Sequence, residues 1–184
     1  MLNKYFRFAL LLVVFMSFTT MTYGGDFKYV GVKKCKTCHK TKKIGDQFGV
    51  WSAAKHANAL KSLASQKSLD YAKANGIADP TKEAKCLNCH STMATVDKTL
   101  LDLKGKMTIE EGVSCESCHG PGSVYKKKSI MVDHEKSLAS GLLVPDEKVC
   151  KTCHGIEHKD KNPFAKEFNF AEAVKKVSHP VPGE

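Results

Sequence analysis

Apolar positions in this chain come in short groups separated by polar and charged residues, a pattern that predicts a series of short helices. Apolar residues that share one face predict a helix over residues 48–64. A shorter helix is predicted over residues 70–75, where a glycine follows. An amphipathic helix is predicted over residues 169–177, with Asn169 and Glu172 at the spacing of a capping box. Strand patterns are weak throughout. We therefore expect a mainly α-helical protein with long loops.

Capping residues predict where three further helices or turns begin. Thr108 and Glu111 have the spacing of a capping box, which predicts a helix running to the glycine at position 120. Asp146 predicts the start of a helix that Gly155 ends. A turn beginning at Asp79 is expected to lead into the segment around position 86.

Residues 1–24 have the features of a secretory signal peptide. Lys4 and Arg7 supply positive charge before an apolar run that is too short to span a bilayer comfortably, and Gly24 suits a cleavage site. The alternative is an uncleaved N-terminal anchor. We expect export to the periplasm or beyond, one domain over residues 25–184, and no stable membrane insertion after cleavage.

The chain is strongly basic, with a formal charge of +10 that would fall to +8 if Lys4 and Arg7 were removed. Arg7 is its only arginine, so the bidentate arginine contacts typical of base recognition are absent, and nucleic acid is not an expected partner. Surface lysines such as Lys126–Lys128 could instead attract an acidic partner, or simply form a solvated face.

A five-residue pattern, C-x-x-C-H, occurs four times and uses all eight cysteines. The cysteines are Cys35, Cys38, Cys86, Cys89, Cys115, Cys118, Cys150 and Cys153, and the histidines are His39, His90, His119 and His154. This pattern is the attachment signature of c-type haem, in which two thiols bind the macrocycle and the histidine binds the iron. The sequence predicts four covalently attached haem c groups, around which the fold is organised.

Two other kinds of site also use paired cysteines. Four C-x-x-C pairs could hold two zinc ions, and eight cysteines in an exported chain could form disulfides. Neither alternative explains why a histidine follows the second cysteine in every copy.

Four histidines lie outside the repeated pattern: His56, His134, His158 and His179. A six-coordinate haem iron needs a second axial ligand, so these residues are candidate iron ligands. His158 follows His154 by only four positions and is therefore less well placed to reach another haem.

The sequence resembles the cytochrome c-554 family of tetrahaem proteins over nearly all of the chain after the signal. The resemblance rests on Trp51-Ser52 with His56-Ala57, on residues 112–122 with Tyr125, and on the run from Val149 through Asn162-Pro163-Phe164 to His179. The stretch at residues 112–122 is also shared with larger multihaem oxidoreductases.

The resemblance implies a set of ligand pairs. His134 would serve the haem of His39, His179 that of His119, and His56 that of His154. The haem of His90 would then have an open distal side. His158 and Met93 depart from the family pattern, and either could close that haem.

Electron transfer between redox partners in a respiratory chain is the leading functional hypothesis, since no residue demands catalysis. One alternative is a redox enzyme that acts on a small nitrogen oxide or peroxide at an open haem, with Lys98, Lys104 or Tyr125 as proton donors. Another is self-association into an extracellular filament in which His179 is donated to a neighbour. Expected partners are a multihaem oxidoreductase, such as a hydroxylamine-oxidising enzyme, or a membrane quinol-linked cytochrome.

Overall fold

The structure, a computed structural model, describes residues 26–180, so the predicted export signal lies outside the described residues. Short α-helices follow one another along this part of the chain. They are α1 (Val32–His39), α2 (Gln47–Ala53), α3 (Ala59–Ser62), α4 (Gln66–Ala74), α5 (Ala84–His90), α6 (Thr92–Thr95), α7 (Cys115–His119), α8 (Lys128–Met131), α9 (His134–Ala139), α10 (Glu147–Lys151) and α11 (Phe170–Val177).

Single turns of 3₁₀-helix connect several of these helices, at Lys42–Ile44, His56–Asn58, Lys98–Leu100, Ile109–Glu111 and Ile156–His158. The extended pairing in residues 26–180 is limited to an isolated bridge between Tyr29 and Leu101. The predicted mainly helical fold with long loops is confirmed.

The helix predicted over residues 48–64 is wrong as a single element. It is divided into α2, the turn His56–Asn58 and α3, with Ala54 in an extended conformation between them. The interruption is stabilised from outside the segment, because the backbone N–H of Val113 donates to the carbonyl of His56 at 3.0 Å. Tertiary hydrogen bonding here outweighs local helix propensity.

The helix predicted from Thr108 to position 120 is also wrong. Thr108 makes no side-chain capping bond, and the turn Ile109–Glu111 ends at Gly112, whose φ is +63°. The helix α7 then starts afresh at Cys115. The glycine allows a change of direction between the two elements that a continuous helix could not make.

The predicted caps at Asp146 and Asn169 are confirmed. The Asp146 carboxylate accepts from the backbone N–H of Val149 at 3.0 Å and begins α10. The Asn169 side chain accepts from the N–H of Glu172 at 3.0 Å and begins α11. The predicted helix at 70–75 exists but starts earlier, because Ser65 caps α4.

The apolar core of the described part is small. Its buried members are Val30, Val32, Leu63, Ala72, Leu87, Met107 and Tyr125. Buried polar side chains are almost as numerous: Gln47, Ser91, Thr92, Ser114, Glu116 and Ser137. Hydrogen bonds therefore contribute much of the specificity of packing. Among residues 26–180 we find no helix with the length and apolar character needed to span a membrane.

Candidate haem-binding site

The four C-x-x-C-H motifs lie next to one another. Burial raises the pKa of Cys118 in the third motif, and Cys150 and Cys153 of the fourth are close enough for their charges to raise it further. The thiols of Cys35 and Cys115 are close enough to shift each other's pKa, which places the first motif beside the third. The thiols of Cys89 and Cys153 are likewise neighbours, which places the second motif beside the fourth. In a haem-bound chain these sulfur atoms would be thioethers, so the pairing describes where two attachment points meet.

Two of the free histidines lie against motif histidines. The ring centroids of His56 and His154 are 5.9 Å apart, and those of His119 and His179 are 5.8 Å apart. A metal held between two imidazole nitrogens, each about 2 Å away, separates ring centroids by about 6 Å. Both pairs therefore have the spacing of two axial ligands, and they are the pairs that the family resemblance suggested.

Three motif histidines are oriented by acceptors at Nδ1. His39 donates to the side-chain oxygen of Gln47 at 3.2 Å, His90 to the carbonyl of Ala59 at 2.7 Å, and His119 to the carbonyl of Leu143 at 3.3 Å. Each bond fixes the tautomer in which Nε2 carries a lone pair. That nitrogen is the one free to bind iron, and such a bond to Nδ1 is the usual support of a metal-bound histidine.

Burial keeps several of these rings neutral. Removal from solvent lowers the pKa of His56, His119 and His154. Nearby histidines lower each pKa further: His154 acts on His56, His179 and His39 act on His119, and His158 acts on His154. At His119 the bond to the Leu143 carbonyl opposes this effect. Neutral imidazole is the form that coordinates a metal.

The remaining candidate ligands are not brought to a partner ring. His134 is exposed at the start of α9 and, within residues 26–180, makes no ring contact or hydrogen bond with His39. His158 donates from Nε2 to the carbonyl of Lys151 at 2.7 Å, so Nε2, the nitrogen left free in the three motif histidines above, is occupied in His158. Met93 lies on α6 and lines an open cavity of about 450 Å³.

Glu116, inside the third motif, is the main support of the first motif and was missed by sequence analysis. Its carboxylate is 1% exposed and accepts from the N–H groups of Val30, Gly31 and Gly122, the latter two at 2.7 Å. Burial raises the pKa of Glu116, and these donors oppose the increase. Glu111 accepts from the N–H of Val32 at 3.0 Å, so two carboxylates complete the start of α1.

Trp51 supports His56 through the backbone of Val113. The indole N–H donates to the Val113 carbonyl at 2.9 Å, and the Val113 N–H donates to the His56 carbonyl at 3.0 Å. Gly112 must remain small at this point, because a Cβ there would lie 2.8 Å from the His56 carbonyl oxygen. The resemblance included Trp51 and His56, but the hydrogen-bonded path between them was not foreseen.

Gln47 connects two of the candidate haem sites. Its side-chain oxygen accepts from His39. Its amide nitrogen donates to the carbonyl of Pro180 at 2.7 Å, next to His179, and to the carbonyl of Ile44. Its side chain is buried. No local sequence signal marks this residue, since its contact with Pro180 spans 133 positions.

The predicted proton donors are not gathered in one site. Lys98 and Lys104 are exposed, whereas Tyr125 is buried and donates its hydroxyl to the Gly120 carbonyl at 2.9 Å. Burial raises the pKa of Tyr125, and nearby Cys35 and Glu116 add to the effect. Tyr125 thus belongs to the surroundings of the first and third motifs.

The donor set suits haem c rather than a metal held by side chains alone. Among residues 26–180, no three His, Cys, Asp or Glu side chains are close enough to hold a metal ion together. The spacing between the paired rings instead fits a metal ion supplied within a flat macrocycle. A cavity of about 310 Å³ lies beside Cys153 and His154.

Comparison with known proteins agrees with this chemistry. The family described as "Cytochrome c554 and c-prime" matches residues 34–120, which contain the first three motifs. Cytochrome c-554 of Nitrosomonas europaea is 34% identical over an alignment of 201 positions, covering 86% of this chain and 78% of the relative. No solved structure gives a significant match.

Proposed function

The chain belongs to the cytochrome c-554 family, and from this we propose that it is an exported tetrahaem electron carrier. Family membership makes it a c-type cytochrome with covalently bound haem c that takes part in electron transfer with redox partner proteins. The number of haems, the ligand to each iron, the compartment and the identity of the partners are the finer parts of the proposal.

Each haem would be held by one motif. We assign the thioether bonds to the cysteine pairs Cys35 and Cys38, Cys86 and Cys89, Cys115 and Cys118, and Cys150 and Cys153. His39, His90, His119 and His154 are assigned as proximal ligands. Bound haem c supplies an iron that gains or loses one electron, and the chain supplies ligands, burial and orientation.

The observation that carries the proposal is the ring spacing of 5.9 Å for His56 with His154 and 5.8 Å for His119 with His179. Irons with two histidine ligands have no position for a substrate, which favours an electron carrier over an enzyme. The ring contact of His179 within its own chain also favours a separate carrier over a filament built by donating His179. His134 remains the proposed second ligand for the haem of His39.

The haem of His90 is proposed to be open. No histidine ring within residues 26–180 contacts His90, and the Nε2 of His158 is held by the Lys151 carbonyl. An open iron would bind a small ligand. It would not by itself make an enzyme, because the Tyr125 hydroxyl donates to the Gly120 carbonyl. The Ser62 hydroxyl, which lies 3.2 Å from His90, contacts Nδ1 of that ring and not the nitrogen proposed to bind iron.

Electron paramagnetic resonance of the oxidised holoprotein, followed by carbon monoxide titration of the reduced form, tests the assignment. We expect mainly low-spin signals, one high-spin ferric signal and about one carbon monoxide per chain. Four low-spin haems with no carbon monoxide bound would disprove the open haem and leave the carrier function intact. Mass spectrometry showing fewer than four haems would contradict the tetrahaem proposal.

Two histidine variants sharpen the test. His179→Gln should open the haem of His119, adding a second high-spin signal and a second bound carbon monoxide. His158→Gln should change neither quantity, because Nε2 of His158 bonds to a backbone carbonyl. A new high-spin signal in His158→Gln would instead identify His158 as an iron ligand.

A further inference from the structure

Six exposed lysines surround the first motif. We define the α1 lysine cluster as Lys33, Lys34, Lys36, Lys40, Lys42 and Lys43, which lie on α1 and the following turn. Residues 33–45 contain no aspartate or glutamate. This segment therefore presents six positive charges within about a dozen residues.

The cluster is not neutralised by described neighbours. The ion pairs of residues 26–180 use Lys28, Lys82, Lys136, Lys151 and Lys175, and none of the six cluster lysines. The ammonium group of Lys36 lies 4.6 Å from the centre of the Phe48 ring, and Lys33 is within electrostatic range of Glu111. The charges of the cluster thus face solvent, apart from these two contacts.

The other three motifs have mixed or acidic surroundings. Glu83 and Lys85 both flank the second motif, Glu110 and Glu111 precede the third, and Glu147 precedes the fourth. A purely basic flank along the sequence is therefore specific to the first motif and is not a general effect of a lysine-rich chain.

The first motif also contains the most accessible motif cysteine. Cys38 is exposed, whereas the other seven motif cysteines are half-buried. A redox cofactor attached there would have its thioether edge close to the surface, next to the lysine cluster. A short distance from the cofactor to the protein surface, together with local positive charge, suits electron transfer with an acidic partner.

We propose that the α1 lysine cluster is the docking surface for an acidic redox protein, which exchanges electrons with this chain at the first motif. The inference rests on the proposed electron-carrier function and names the contact surface and partner chemistry. A reduced partner whose cofactor is ringed by carboxylates would lose one electron to the group held by Cys35 and Cys38. No covalent bond is formed or broken.

Kinetics with an acidic probe protein test this inference. Reduced flavodoxin, an acidic flavoprotein, is mixed with oxidised holoprotein in a stopped-flow experiment at several salt concentrations. Electrostatic attraction raises association rates by about 10- to 1000-fold and is screened over about 10 Å at 0.1 M salt. We expect a rate that falls with salt, and a drop of about tenfold for Lys36→Gln/Lys40→Gln/Lys42→Gln/Lys43→Gln at low salt.

A matched control variant shows whether the rate depends on the lysines of the cluster or only on the net charge of the protein. Lys61→Gln/Lys73→Gln/Lys159→Gln/Lys176→Gln removes four exposed charges elsewhere and should lower the rate less than about twofold. Equal losses in the two variants, or no loss in the cluster variant, would overturn the inference. So would cluster-dependent binding to phosphatidylglycerol vesicles without any effect on the flavodoxin rate, which would identify a membrane surface as the partner.

A neutral reductant distinguishes this inference from the function on which it rests. Photoreduced lumiflavin should reduce the unmodified protein and both variants at the same rate. If lumiflavin reduces all three but flavodoxin does not distinguish them, only the docking surface is wrong. If none is reduced, the electron-carrier function itself fails.

Discussion

The side-chain oxygen of Gln47 accepts a hydrogen bond from Nδ1 of His39 at 3.2 Å. A stronger acceptor at this position makes the imidazole a better electron donor to iron and stabilises the oxidised state. We expect Gln47→Glu to lower the reduction potential of the first haem and Gln47→Leu to raise it. One hydrogen bond contributes about 1 kcal/mol, equivalent to about 40 mV for one electron. Potentiometric titration followed by electron paramagnetic resonance measures both shifts.

Gln66→Leu is the matched control for Gln47, because the Gln66 side chain bonds only to exposed Asp70 and no motif residue. It should leave all potentials unchanged. Shifts of the same sign in Gln47→Glu and Gln47→Leu would show that packing, rather than the acceptor, sets the potential.

Loss of the Glu116 carboxylate should destabilise the protein strongly. Glu116→Ala would leave buried N–H groups of Val30, Gly31 and Gly122 without an acceptor, each costing about 1–3 kcal/mol. We expect a loss of about 3 kcal/mol or more in the free energy of unfolding, measured for the holoprotein by circular dichroism in denaturant. Exposed Glu110→Ala should cost less than about 0.5 kcal/mol. Similar losses in both variants would contradict the role of Glu116.

Substitutions at two glycines distinguish the cost of a positive φ from the cost of steric contact. Both Gly76 and Gly112 have positive φ, but a Cβ at Gly76 would meet nothing within 4 Å, whereas one at Gly112 would meet the His56 carbonyl. Gly76→Ala should cost about 1–2 kcal/mol through φ alone. Gly112→Ala should cost more and, by displacing His56, should add a high-spin signal from the haem of His154. Thermal unfolding and electron paramagnetic resonance would measure the two effects, and equal costs without a spectral change would refute this prediction.

Asp79 should contribute to the free energy of unfolding at neutral pH, and this contribution should be lost in acid. Hydrogen bonds from Thr81, followed by contact with Lys82, lower the pKa of Asp79 from 3.8 to about 2. Because the pKa of the folded state lies below that of the unfolded state, the stabilisation is complete above about pH 4 and is lost as the pH falls towards 2. Unfolding midpoints of the unmodified protein and Asp79→Asn should therefore differ above pH 4 and converge below it.

Thr81→Val tests the cause of the Asp79 shift. It removes the hydroxyl that donates to Asp79 at 2.6 Å, so the acid-induced loss should begin closer to the ordinary pKa of an aspartate. An unchanged pH profile would mean that Lys82, 2.9 Å from Asp79, produces the shift instead.

A local signal was sufficient at two predicted caps, although the equally local capping box at Thr108 was not. The cap residues Asp146 and Asn169 act on N–H groups three positions away, so the pattern around each residue was sufficient. The four motifs are equally local. Sequence analysis failed at residues 48–64 because Val113 holds the His56 carbonyl outside any helix, and a contact of this kind has no periodic signature.

Long-range supports of the candidate site could not be predicted for the same reason. Gln47 and Glu116 look like ordinary polar residues in the sequence, and their importance arises from partners far along the chain. The proposed pairings of His56 and His179 came from family resemblance, since spacing alone left four free histidines to be matched with four motifs.

The separation of Gly31 from Glu116 has a consequence for biosynthesis. Glu116 follows Gly31 by 85 positions, which at about 5–20 residues per second takes the ribosome about 4–17 s to add. During that interval Cys35 and Cys38 already exist, but the carboxylate that completes the start of α1 does not. Cys115, the later neighbour of Cys35, is also still missing. The first motif is therefore made several seconds before the residues that enclose it.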